Sequence, residues 1–151
     1  MQFLEQEILE ITETTWQAMV GLAIQPRTPP VMVEPMEEFL TGRVEISGAW
    51  NGTILLHGSS QLAGSAASVI FGNGGIDVTK QEALDAMYEL TNIIGGNIKS
   101  LLPEPCRLSL PLVEATTPGS LFVEGARQVS ELWFDCQRQP LFVTVWQSLD
   151  G

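Results

Sequence analysis

The stretch Gly42–Gly58, "GRVEISGAWNGTILLHG", decides the fold. Two runs of aliphatic and β-branched residues flank Asn51-Gly52. An Asn-Gly pair between extended runs is a strong hairpin signal, so an antiparallel strand pair is expected here. Ser59 and Ser60 follow at once, and a serine in that place can cap a helix over "QLAGSAASVIFG" (61–72). The small residues of that helix suit close packing on a sheet. "FGNGGIDVTK" then reads as a helix stop and loop, because it follows a helix-like segment instead of a strand. Thr79 caps the next helix, and Glu82 three residues on completes a capping box. The spacing predicts that this helix runs to about Leu102, where "PEP" ends it.

Working outward, Leu4, Ile8, Ile11, Thr15 and Met19 recur at helical spacing, and the segment from Phe3 to Leu22 reads as a helix that "QPRTPP" breaks. Beyond the long helix, "RLSLPLVE", "SLFVEGA", "QVSELWFDCQ" and "LFVTVWQS" alternate as strands. The order is helix, strands, two helices, strands. That is α+β, a single domain over residues 1–151, with helices on the buried face of an antiparallel sheet. "EITETTWQAMVGL" loosely echoes "DAMYELTNIIGGNI", so each half resembles a long helix followed by strands. Trp50, Trp133 and Trp146 fall in or near strands, where core packing accounts for them; an edge strand carrying them could instead build a dimer sheet.

Composition removes several function classes. A chain of 151 residues with 44% apolar content can bury a real core. Its formal charge of −11 argues against direct nucleic-acid binding and against an anionic membrane surface, both of which need clustered Lys and Arg. No run of about 18 apolar residues occurs, and "MQFLEQEILEIT" lacks the basic start and apolar centre of a signal peptide. Cys106 and Cys136 show no metal-ligand spacing and read as free thiols in a reducing cytoplasm. His57, the only histidine, is expected to be an ordinary strand-end residue. No dinucleotide fingerprint, phosphate loop or nucleophile elbow is present.

The long helix carries the one unusual constellation. On a wheel, Met87, Leu90, Ile94, Ile98 and Leu101 share the core face, while Asp85, Glu89, Asn92, Gly96 and Lys99 share the opposite one, with Gly95 beside it. Asn92, Gly95 and Gly96 are poor choices for a plain surface helix; each glycine costs roughly 1 kcal/mol relative to alanine. A glycine on an exposed stripe removes a side chain and admits another backbone, which suggests a docking face.

These residues, in "DAMYELTNIIGGNIK", resemble the signature helix of the CheC/CheX/FliY chemotaxis phosphatases: Asp85, Glu89 four residues on, Asn92 three after that, then Gly96-Asn97 and Lys99. Pro111 is the natural match for the family's downstream proline, a few residues early. The resemblance implies a CheX-like fold and an aspartyl-phosphate phosphatase acting on a phosphorylated CheY-like response regulator. It implies catalytic roles for Glu89 and Asn92, and partner contacts from Asp85, Gly95, Gly96 and Lys99. It implies no cofactor on this chain, Mg²⁺ on the partner receiver domain, and a homodimer. CheC-type members carry two such helices. Here Glu13 is followed by Trp16 where the asparagine would fall, so one site is expected. The alternatives are a non-catalytic CheX-like adaptor that docks a receiver or a flagellar-switch component, and an unrelated ligand-binding domain whose glycines serve only helix packing.

Overall fold

The computed structural model describes residues 2–28, 37–72, 78–117 and 121–150, with residues 2 and 3 described by backbone only. The described elements, in order, are α1 (Gln2–Met19), β1 (Gln25–Arg27), β2 (Phe39–Gly48), β3 (Gly52–Ser59), α2 (Ser60–Ile70), α3 (Lys80–Lys99), β4 (Cys106–Leu108), β5 (Leu112–Thr116), β6 (Ala126–Cys136) and β7 (Gln139–Ser148). The strands form one antiparallel sheet ordered β1-β6-β7-β3-β2-β4, with β5 also paired to β2. The fold is α+β, as the element order predicts.

The local signals act as expected. β2 and β3 form the hairpin, and Asn51 holds its turn through hydrogen bonds to the backbone of Gly48 at both ends of its amide. Ser59 caps α2 by accepting from Leu62 N at 3.1 Å. Thr79 and Glu82 make the reciprocal capping box, each accepting from the other's backbone N–H at 3.1 Å. Such a cap contributes about 1 kcal/mol.

The sheet's order maps onto itself when β1 exchanges with β4, β6 with β2, and β7 with β3. The two halves therefore interlock: each gives its short strand to the outer long strand of the other. This gives the loose internal echo of the sequence a structural counterpart.

The helices cover one face. Leu40, Val44, Ile54, Leu56, Val143 and Val145 point into them and pack with Trp16, Met87, Leu90 and Ile94. α3 lies close against β2, because Gly42 leaves room for Thr91 and Gly95 leaves room for Val44; a Cβ on either glycine would overlap its neighbour. The small-residue helix α2 buries Ala63, Ala66 and Ala67.

Several expectations change. The sheet is not bare on its second face. Phe39, Trp133 and Phe142 form one buried cluster there with Leu121, and Leu55, Val123 and Trp146 form another. The described part of "SLFVEGA" thus makes no strand before Ala126; Leu121 and Val123 instead cover the sheet. "RLSLPLVE" is two strands, interrupted at Ser109–Pro111, since proline lacks the N–H a ladder needs. "QPRTPP" opens with the three-residue strand β1. α3 ends at Lys99, and Leu101, placed on the core face by the wheel, lies beyond the helix at 37% exposure. Trp133 and Trp146 sit on interior strands and are buried, as is Trp50, so none lines a free edge. Part of the glycine loop, residues 73–77, lies outside the described residues.

Candidate functional site

Asp85, Glu89 and Asn92 are exposed along α3, with Gly96 and Lys99 half-buried behind them. At 1.5 Å per residue the stripe is about 21 Å long, and the Cβ atoms of Glu89 and Asn92 are about 5–6 Å apart, close enough to touch one partner group. The helix is anchored beneath by Met87, Leu90, Thr91, Ile94 and Ile98, all buried. That packing fixes the outward direction of Glu89 and Asn92.

Hydrogen bonding divides the stripe. Asp85 Oδ1 accepts from Gln81 Nε2 at 2.8 Å, so Gln81 holds it one turn back. Glu89 and Asn92 have no side-chain hydrogen bond or ion pair among the described residues. Lys99 sits in the last turn, where the helix dipole favours a cation.

The two glycines separate. Gly95 is buried, and a Cβ there would lie 2.7 Å from Val44 Cγ2, so the close approach it permits is that of its own sheet. The expectation that Gly95 meets a partner is corrected accordingly. Gly96 faces outward. A Cβ there would meet only Leu108 Cδ2, at 3.9 Å, so nothing among the described residues demands glycine.

The face is convex. Two grooves lie elsewhere: one of about 420 Å³ on the far side of the sheet, near Arg43 and Arg107, and one of about 440 Å³ between α1 and α3, near Glu10 and Leu101. Neither includes Glu89 or Asn92. The geometry therefore suits a partner that brings its own cavity.

His57 is far from this chemistry. It lies near the end of β3, two residues before Ser59, on the sheet face opposite α3, and it is fully buried. Its Nδ1 is 3.0 Å from Thr41 Oγ1 and its Nε2 is 3.0 Å from Thr144 Oγ1. Phe142 stacks on it at 4.1 Å and on Trp133 at 3.9 Å. Burial lowers its pKa to about 3, so the ring is neutral at physiological pH. Cys136 is also buried, and burial pushes its thiol pKa up, which makes it a poor nucleophile. Among the described residues no cluster of His, Cys, Asp or Glu could hold a metal ion. No described helix is long and apolar enough to cross a membrane.

The first helix offers no matching asparagine at Trp16. That side chain is fully buried among the core residues. The wheel also passes over Tyr88, half-buried between Asp85 and Asn92. Its aromatic body reads as core in a periodicity pattern, so no signal in the sequence separates it from Leu84 or Met87.

Known proteins share this architecture. A CheX chemotaxis protein from Vibrio vulnificus superposes with a TM-score of 0.78 at 18% identity, over 95% of each chain. One from Desulfovibrio desulfuricans gives 0.73 at 20% identity, over 94% of this chain and 97% of that one. CheX from Borrelia burgdorferi, in a complex with CheY, BeF₃ and Mg²⁺, gives 0.70 at 16% identity, over 93% and 95%. At these identities the likeness establishes the fold. No curated protein matches the chain in sequence. The family model for chemotaxis phosphatase CheX matches residues 40–135, which carry the hairpin, α2, α3, β4, β5 and nearly all of β6, and the chain therefore belongs to the CheX family.

Proposed function

We propose that this chain hydrolyses the aspartyl phosphate of a CheY-like receiver domain, with α3 as its reaction face. The observation that carries the proposal is the pair Glu89 and Asn92: exposed, one turn apart on the outer side of α3, and without a side-chain partner among the described residues. Neither groove described above is lined by Glu89 or Asn92. A receiver domain carries its own acidic pocket and phosphorylated aspartate, and a convex helix can enter it. The Borrelia burgdorferi relative was seen with CheY, BeF₃ and Mg²⁺, which supports a partner of this class.

Hydrolysis needs a water oxygen in line with the bond that breaks, from phosphorus to the aspartyl oxygen. It releases inorganic phosphate and restores the carboxylate. The amide of Asn92 donates and accepts at once. It can hold the attacking water while leaving it neutral until bond formation, as a water-positioning glutamine does in GTPases. Glu89 can make a charge-assisted bond to a lysine of the receiver and so fix the register of Asn92. Asp85 and Lys99 contact the rim. Gly96 lets the receiver backbone approach the helix. The receiver's Mg²⁺ neutralises phosphoryl oxygens; this chain supplies positioning.

Phosphate release from a phosphorylated receiver, with and without the protein, tests this. Acceleration by the wild type and none by Asn92→Ala is the expected result. Tight binding to the receiver without acceleration would identify an adaptor instead.

A further inference from the structure

Two close contacts fix how α3 is turned on the sheet. Thr91 fills the space over Gly42, and Gly95 rests on Val44, so Thr91 and Gly95 mark the sheet-facing side. At about 3.6 residues per turn, Tyr88 lies about 40° from Asn92 on that side, and Glu89 about 60° away on the other. The exposed stripe is therefore bordered differently along its two edges, by a carboxylate on one and an aromatic ring on the other. Helical side chains lean toward the N-terminus, so the Tyr88 ring lies toward Leu84, one turn back. Both residues are half-buried, and Leu84 packs against the core. Tyr88 and Leu84 thus make an apolar border beside Asp85, Glu89 and Asn92.

Tyr88 is the one aromatic residue of α3 and the only tyrosine of the chain. It is partly open to solvent, and its hydroxyl has no hydrogen bond among the described residues. A core role would bury the ring. A solvent-facing role is better met by Lys, Glu or Gln, which form helix more readily. An apolar body with a polar tip suits a surface that becomes buried on association. The polar stripe also needs such a neighbour. An exposed ion pair, such as Glu89 with a partner lysine, contributes at most about fivefold in affinity, and salt screens it. A buried aromatic anchor contributes more.

We propose that Tyr88 is the docking anchor of the α3 face: its ring is buried against apolar side chains of the receiver domain beside the phosphorylated aspartate, and its hydroxyl donates a hydrogen bond to a receiver backbone carbonyl. The proposal rests on the phosphatase reading of α3 and adds the residue that selects the partner. A receiver with an apolar patch next to its acidic pocket is accepted. One with a carboxylate there is rejected, because the ring would desolvate that charge without pairing it.

Steady-state phosphate release from the phosphorylated cognate receiver is the first measurement. Tyr88→Ala should raise the apparent KM at least about tenfold, and Tyr88→Phe about threefold through the lost hydroxyl, with kcat in both within about twofold of wild type. A packing role gives another pattern: Tyr88→Phe leaves KM unchanged, and Tyr88→Ala lowers the urea midpoint without raising KM. That pattern overturns the proposal. The second measurement needs no variant. With one tyrosine in the chain, incorporation of 3-fluorotyrosine gives a single fluorine resonance. It should shift on titration with an unlabelled, beryllofluoride-loaded receiver and reach its plateau at the stoichiometric point found by calorimetry. Binding by calorimetry with an unmoved fluorine resonance overturns the proposal. A wild type that binds and shifts the resonance without releasing phosphate retires the phosphatase reading and leaves the anchor standing. Phosphate release with unchanged KM in Tyr88→Ala removes the anchor and leaves the phosphatase reading. No binding and no release overturn both.

Discussion

Gly95 lies directly against Val44, so that a Cβ there would sit 2.7 Å from Val44 Cγ2, while a Cβ on its neighbour Gly96 would meet only Leu108 Cδ2, at 3.9 Å. Two adjacent glycines in one helix thus answer to different constraints. One lets α3 settle on β2; the other belongs to the outer face.

Opposite signs follow in stability. Gly95→Ala forces α3 or Val44 to shift and should cost about 1–3 kcal/mol, the range for overpacking. Gly96→Ala meets no close atom and should stabilise by about 0.5–1 kcal/mol through helix propensity. Urea midpoints at an unchanged slope measure both. A stabilised Gly95→Ala would mean the helix does not rest on Val44 as described.

Acid should expose the buried histidine. The folded pKa of His57 is about 3, below the unfolded value of 6.5. Between those values the unfolded chain binds a proton that the folded chain refuses, so stability falls as pH drops from 6.5 toward 3. The slope well inside the window is about 1.4 kcal/mol per pH unit. His57→Gln keeps polar atoms near Thr41 and Thr144 and removes the titration. Urea midpoints of wild type and variant at pH 7, 6 and 5 should converge as pH falls, with the carboxylates common to both cancelling. Parallel curves would show that the ring titrates normally.

The capping box should matter for α3 as a whole. Thr79→Ala removes the acceptor for Glu82 N and the reciprocal geometry with it. A loss of about 1 kcal/mol is expected, read as a lower urea midpoint, with phosphatase activity at saturating receiver unchanged. Activity lost out of proportion to stability would show that the helix start also sets the position of Asn92.

Local chemistry was legible in the sequence where one side chain settles the matter. Thr79 with Glu82, Ser59 and the Asn51 turn each declare themselves through a hydrogen bond to backbone a few residues away. The stripe of Glu89 and Asn92 was legible because α3 is long and strictly periodic. What depends on distant contacts was not. Nothing in "GGN" tells that Gly95 meets Val44 and Gly96 meets solvent, since the wheel sets them only one step apart. "SLFVEGA" has strand composition, yet Leu121 and Val123 spend it on covering the second sheet face. The same hidden face encloses His57, which a half-solvated sheet would leave near water.

The sharpest test of the chemistry is Asn92→Asp. The exchange keeps shape and volume, and position 92 is exposed, so stability should change by less than about 0.5 kcal/mol. Only the capacity to donate a hydrogen bond is lost, and a negative charge is added beside the phosphoryl group. If the amide positions water, the rate at saturating receiver should fall about a hundredfold, close to the loss in Asn92→Ala. If Asn92 served only docking, the loss would appear in the apparent KM instead. Glu89→Gln supplies the contrast. It removes the charge that grips the receiver lysine, so the apparent KM should rise more than kcat falls, and the wild type's sensitivity to salt should weaken. Gly96→Leu should also raise KM while leaving the fold intact, since space is lost only on the outer face. The combination of a kcat effect at Asn92 with KM effects at Glu89 and Gly96 assigns water to the amide; the reverse pattern would move the chemistry to Glu89 and leave Asn92 as an anchor.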